Sequence, residues 1–268
     1  MRINTNIGAL NAHRNLSRTN DALSRSMAKL SSGFRINRAS DDAAGLAIAN
    51  KFEADIRSMQ AASRNVAEAT SLIQIAEGGA SSLQDILVRM KELATQSASA
   101  NAASQTATIG AEYDALVEEI DRIVGGTEYQ DVALLDGSFS GTFQVGSGTT
   151  ANDVIAVSLS NLDSSTLTVA AGDIDGTSTA IDNVDAALTA VNSFLGDIGA
   201  YQNRLDYAAQ NLATSIQNYS ASESVIRDVD MAAEMTNFSK NQILQQAGTA
   251  MLAQANASAQ GVLQLLRG

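Results

Sequence analysis

From Val184 to Ile226, side chains at alternating intervals of four and three residues form a continuous stripe: Val184, Leu188, Val191, Leu195, Ile198, Gln202, Leu205, Ala209, Leu212, Ile216, Tyr219, Glu223 and Ile226. Only Gln202 and Glu223 interrupt the apolar run. Such spacing is the signature of a coiled-coil seam. A second seam of the same phase lies near the front of the chain, on Met59, Ala62, Val66, Ala69, Ile73, Ala76, Ala80, Leu83, Leu87, Met90, Ala94 and Ser97. Two long seams on either side of one chain pair most simply with each other. The pattern therefore predicts a mainly α protein: an elongated antiparallel coiled-coil rod whose middle forms the outer end.

The 268 residues include no proline, where average usage would supply about thirteen. Nothing thus removes a helix N–H or drives a ring into the preceding turn. Cysteine is also absent, which excludes a disulfide framework and every thiolate site. No apolar run reaches the ~18 residues of a membrane span, so membrane insertion is not expected. Residues 1–30 lack the apolar core of a cleaved secretory signal, so export would need another route. The net charge of −12 is unevenly placed. Residues 1–40 carry seven basic side chains against Asp21, while residues 99–200 carry fifteen acidic ones against Arg122. The basic stretch lacks the interleaved aromatics of a nucleic-acid surface, and no nucleic-acid partner is expected.

Periodicity divides the chain further. Residues 1–36 predict a first helix on Leu16, Leu23, Met27, Leu30 and Phe34, weakened at Ser31-Ser32-Gly33. Ser40, Asp41 and Asp42 supply cap and first-turn oxygens for a helix running to about Ser97. Gly78 and Gly79 within it cost about 1 kcal/mol each relative to alanine, which predicts a closely packed neighbouring backbone. A helix on Ile109, Tyr113, Leu116, Ile120 and Ile123 stops at Gly125-Gly126. Alternating runs at 142–145 and 154–157 around Gly146-Ser147-Gly148 predict a β-hairpin. Residues 158–178 read as a surface connection with little core of its own. Thr179 and Asp182 have capping-box spacing ahead of the return helix. The last helix, Met231 to Leu266, interleaves Met235, Phe238, Leu244, Met251, Leu252, Val262 and Leu266 with uncharged glutamines. It cannot bury enough apolar surface alone to offset its ordering entropy. The two terminal helices are expected to pair weakly and to become ordered by packing on copies of themselves.

Catalytic chemistry finds no footing. His13 is the single histidine and has no cysteine or carboxylate pair beside it. Gly137-Ser138-Phe139-Ser140-Gly141 places phenylalanine where a nucleophile elbow needs serine. Gly146 to Ala151 fits a loose dinucleotide pattern but is followed by a strand-like run rather than a helix. Asp173-Ile174-Asp175-Gly176 lacks the later ligands of a calcium loop. No enzyme activity, metal or cofactor is expected.

The motifs Ile3-Asn4-Thr5-Asn6, Leu30 to Asn37 (LSSGFRIN), Asp41 to Ala49 (DDAAGLAIA), Gln242 to Gly248 (QILQQAG) and Leu265-Leu266-Arg267 strongly resemble bacterial flagellin. The resemblance covers roughly residues 1–135 and 180–268. It implies a filament subunit, exported unfolded through the flagellar secretion apparatus with an export chaperone, which meets the filament cap and hook-associated proteins. It divides the chain into 1–42 and 227–268, the two halves of an inner tube domain, and 43–138, 139–178 and 179–226, the helices, hairpin with surface connection, and return helix of an outer rod domain. The middle is too short for the outer surface domains of longer flagellins. A hook–filament junction protein and a non-flagellar coiled-coil scaffold are the alternatives. Leu87 to Gln96 further resembles the surface by which many flagellins engage the host flagellin-sensing Toll-like receptor. That resemblance implies Arg89 as polar anchor, Leu93 as an outward apolar contact and Glu119 as an auxiliary partner.

Overall fold

The computed structural model describes residues 6–99, 105–174 and 179–265, with backbone alone at 259, 260 and 262–265. Within them lie five helices, α1 (Ile7–Ser32), α2 (Ala43–Ser97), α3 (Thr106–Gly126), α4 (Thr179–Arg227) and α5 (Met231–Leu265). Four short strands, β1 (Glu128–Tyr129), β2 (Val132–Ala133), β3 (Ser140–Gln144) and β4 (Val154–Ser158), form two antiparallel pairs. The chain makes two compact units, one of residues 55–217 and one of residues 1–54 with 218–268. The divisions fall inside α2 and α4 rather than at their ends.

In the unit of residues 55–217, α2 and α4 run antiparallel. Lys91 Nζ meets Asp185 Oδ1 at 2.5 Å, Gln84 Nε2 donates to Asn192 Oδ1 at 3.4 Å, and Gln202 Nε2 donates to Glu77 Oε2 at 2.6 Å. As numbers fall along one helix they rise along the other. Every α2 position of the expected seam, from Met59 to Ser97, is buried. On α4 the expected Val184, Val191, Ile198, Leu205 and Leu212 are buried, but Leu188 and Leu195 are only half-buried while Ala187 and Phe194 are fully so. The alternate row is thus displaced by one residue, because α4 also takes β4 alongside: the Tyr201 hydroxyl lies 3.4–3.5 Å from the backbone of Ser158. A helix covered from two directions buries a wider stripe than one covered by a single partner.

The same effect recurs on α3, where Ile109, Tyr113, Val117, Ile120 and Val124 are buried. Leu116 and Ile123, expected in the seam, are half-buried against the same core. Of the α2 glycines, Gly78 faces open space, whereas a Cβ on Gly79 would lie 2.8 Å from both Leu135 Cδ1 and Thr127 Oγ1. The close neighbour is a pair of side chains, not the backbone expected.

After α3, β1 and β2 make a two-residue hairpin not foreseen in the sequence, with Gln130 and Asp131 both at positive φ (52° and 63°). The pattern is that of a type I′ turn, which normally announces itself by Asn or Gly. The expected hairpin is present as β3 and β4, in register from Ser140↔Ser158 to Gln144↔Val154. Its connection is closed by Gln144 Nε2, which donates to the carbonyls of Gly146 and Gly148, and by a Thr150–Asp153 capping box.

Residues 158–174 overturn the expectation of a connection without a core. Leu159, Leu162, Leu167, Val169 and Ile174 are buried in the same cluster as the helical seams. The backbone turns between them are held by side chains. Asp163 accepts hydrogen bonds from Thr166 N–H, Ser165 Oγ and Asn161 Nδ2, which hold its pKa at about 2. Ser164 and Gly172 are tied to the α3 carboxylates Asp121 and Asp114.

Candidate assembly surface on the terminal helices

In the other unit, α1 and α5 lie side by side. Asn6 caps α1 by accepting from Ala9 N–H at 3.1 Å, and its Nδ2 donates to the carbonyl of Ala255 at 2.9 Å. Ten residues further along α1, a Cβ on Gly248 would sit 3.2 Å from Leu16 Cδ1. The helices are therefore antiparallel, and Gly248 permits their close approach. α1 ends where Gly33 adopts φ 76°, its N–H returning to Lys29 O. This is a left-handed C-cap open to glycine at little cost, and it stops the helix short of the expected residue 36. Asp42 caps α2 through Gly45 N–H, and Asp230 caps α5 through the N–H groups of Ala232 and Ala233.

Between these caps the chain forms a tight junction. Arg227 places its guanidinium 4.3 Å from the Phe34 ring centroid and pairs with Glu53 at 2.9 Å and Glu223 at 3.2 Å. The hydrogen bond to Glu53 is the main cause of its raised pKa. Arg35 N–H donates to Arg227 O, Arg35 Nη2 to Ile226 O, and Val229 N–H to Gly33 O. Phe52 and Tyr219 pack edge to face at 5.4 Å. Backbone bonds, a cation–π contact and two carboxylates together fix the directions in which α1 ends and α5 begins.

What the unit leaves uncovered is apolar. Among described residues α1 buries Ser26 alone, and no α5 residue is buried. Of the residues expected to drive polymerisation, Met27, Met235, Leu244 and Met251 are exposed, by 46% to 65%. Leu16, Leu23, Leu30, Phe238 and Leu252 are half-buried. Phe34 is also half-buried, but its ring is engaged by Arg227 within the chain. The Val262 side chain and Leu266 lie outside the described residues. Ile7 and Leu10, which the sequence places one position out of phase with the α1 stripe, are exposed too, as are Ile48, Val225 and Ile243, which were not among the expected contacts. Covering a side chain of this kind is worth about 1.5–3 kcal/mol. The terminal helices therefore hold their apolar area in reserve, while the seams of the other unit have spent theirs.

Of the three receptor-like positions, Arg89 and Glu119 are held in different ion pairs and Leu93 is buried. Arg89 Nε and Nη2 donate to Glu112 Oε1 at 3.0 and 2.7 Å, and Nη1 to Glu92 Oε2 at 2.9 Å. These hydrogen bonds, Glu112's foremost, raise its pKa. Glu119 instead pairs with Arg122 on its own helix, which lowers the carboxyl pKa. Leu93 was expected to face outward, yet it is buried. The correction has a simple cause: α3 meets α2 through Arg89 and α4 meets it through Lys91, so this part of α2 is covered from two sides. Among the described residues no group of histidine and carboxylate side chains could hold a metal ion, and no helix is long and apolar enough to cross a membrane.

The fold is thus that of a helical protein with filled internal seams and uncovered apolar faces on paired terminal helices. The family model of the bacterial flagellin N-terminal helical region matches residues 3–140, and that of the C-terminal helical region matches residues 181–266. The chain belongs to the bacterial flagellin family. It is 46% identical to a flagellin of Halalkalibacterium halodurans over 273 residues and 41% identical to a flagellin of Bacillus subtilis over 307, in both cases across the full length of each chain. A flagellar filament core protein of Brachyspira hyodysenteriae is 41% identical, again over the whole of both chains. A crystal structure of Bacillus cereus flagellin aligns with 56% of this chain and 88% of that chain at 30% identity and a TM-score of 0.49.

Proposed function

We propose that this protein is the structural subunit of the bacterial flagellar filament, assembling with copies of itself through α1 and α5. The observation that carries the reading is the concentration of exposed apolar side chains on those two helices, set against an α2 seam buried throughout from Met59 to Ser97 and an α4 seam buried at Val184, Val191, Ile198, Leu205 and Leu212. Residues 1–42 and 227–268 would then build the inner tube of the polymer, with residues 43–226 facing outward. The family also supports export through the flagellar secretion apparatus with a chaperone, and contact with the filament cap and hook-associated proteins. Electron microscopy of the purified protein tests the central point: long helical filaments of a single polypeptide are expected, and discrete dimers alone would refute it.

The resemblance around Leu87 to Gln96 supports a second role, recognition of the monomer by the host flagellin-sensing Toll-like receptor. Arg89, half exposed, is the polar anchor, and Glu119 an auxiliary contact on α3. Leu93 serves beneath that surface by seating α2. In a reporter-cell assay at matched folding, Arg89→Ala should lower the response strongly and Glu119→Ala moderately. An unchanged response in both, or none from the wild type, defeats this role.

A further inference from the structure

A cleft of about 330 Å³ opens between α1 and the turn that leads into α2, lined chiefly by Asp21, Ser24, Arg25, Lys29, Asn37 and Arg38. Arg25, Lys29 and Arg38 have no ion-pair partner among the described residues. Asp41, on its rim, is already committed: one carboxylate oxygen accepts from the N–H groups of Asn37 and Arg38. The wall is held in place, since Asn37 Nδ2 donates to Ser32 Oγ at 2.7 Å and to Ala28 O at 3.2 Å. Arg25, Lys29 and Arg38 outnumber the two carboxylates of the same lining, Asp21 and Asp41, so the recess keeps a net positive charge of one and favours an anionic occupant.

The chain itself offers one. Most of its carboxylates are spoken for, either in ion pairs, as Glu53, Glu92, Glu112, Glu119, Asp185 and Glu223 are, or in caps and turns, as with Asp42, Asp153, Asp163 and Asp230. Others among the described residues, such as Glu68, Asp85 and Asp206, stand along helices. Glu128 and Asp131, by contrast, share the tight β1–β2 turn, are exposed, and have no ion pair among the described residues. The turn stands on a firm base. Leu134 N–H donates to Thr127 O, Thr127 Oγ1 donates to Ile123 O, and Leu134 and Leu135 are fully buried. Beside the carboxylates Val132 is 44% exposed, an apolar contact with nothing over it.

We infer that the basic cleft of one subunit receives the acidic Glu128–Asp131 turn of a second copy. The inference rests on the filament reading and deepens it. Cleft and turn are different patches, so the contact is heterologous, and repeating a heterologous contact gives an open polymer rather than a closed dimer.

A charge-reversal cycle on the full chain tests it, read as the critical concentration for seeded polymerisation, with circular dichroism confirming that each monomer is folded. Arg25→Glu with Arg38→Glu should raise the critical concentration by roughly tenfold or more, as attraction turns to repulsion. Glu128→Lys with Asp131→Lys should do the same. All four substitutions together should recover most of the loss. Wild-type behaviour in either pair, or a quadruple variant no better than the worse pair, overturns the contact while leaving the filament reading intact. Failure of the wild type to polymerise overturns both.

Discussion

Leu205 lies at the middle of α4, fully buried, one turn beyond the Gln202–Glu77 hydrogen bond that ties α4 to α2. Two residues on, Tyr207 is 72% exposed. The pair makes an internal control, because position along the helix is nearly shared and burial is not. Leu205→Ala removes buried methyl groups and leaves a cavity between tightly packed helices, at a cost of about 2.7–5 kcal/mol. For a unit of this size each kcal/mol moves the midpoint by roughly 2–4 °C, so Tm should fall by about 5 °C or more. Leu205→Asp adds the desolvation of an unpaired carboxylate and should cost more still. Tyr207→Ala and Tyr207→Asp should stay within about 0.5 kcal/mol of the wild type. The assay is thermal denaturation of the monomer followed by circular dichroism. Comparable shifts at 205 and 207 would refute the claim that the seam, rather than the helix as such, holds the unit together.

Deleting residues 231–268 should leave residues 55–217 folded with an unchanged melting profile but abolish filament growth; filaments from the truncated protein, seen by electron microscopy, would contradict assembly through α5. The Tyr113 hydroxyl is buried with no hydrogen-bond partner among the described residues, and burial, with Asp173 and Asp114 nearby, pushes its pKa up to about 12. Since the folded value lies above the ordinary ~10, the protein loses stability as pH rises from about 10 to 12, by up to about 2.7 kcal/mol at 1.36 kcal/mol per unit. Tyr113→Phe should remove much of that alkaline loss without destabilising at pH 7; denaturant melts at pH 7 and pH 11 check both. Gly78→Ala should stabilise by up to about 1 kcal/mol because its Cβ meets open space, whereas Gly79→Ala should destabilise by displacing Leu135 and Thr127. Equal shifts in Tm for the two glycines would refute the packing account.

The long helices, their seams and most of their ends were written in local sequence, because heptad spacing, Asp42 and Gly33 act within a few residues of themselves. The whole α2 seam from Met59 to Ser97 was legible for that reason, as was the antiparallel partnership with α4. So were the apolar faces of α1 and α5, although which of their side chains stay uncovered was not. Tertiary structure decided the matters that depend on a third partner. Ala187 and Phe194 displaced Leu188 and Leu195, and Leu93 turned inward, because the side of a helix that is buried follows from everything packed against it. Residues 158–174 became core since their scattered leucines find a surface only once three helices have assembled. The β1–β2 turn had no Asn or Gly to announce it, and the Arg227 junction joins Phe34 and Glu53 to residues far along the chain. Periodicity reports the face of one element; the neighbours that cover it are fixed only in three dimensions.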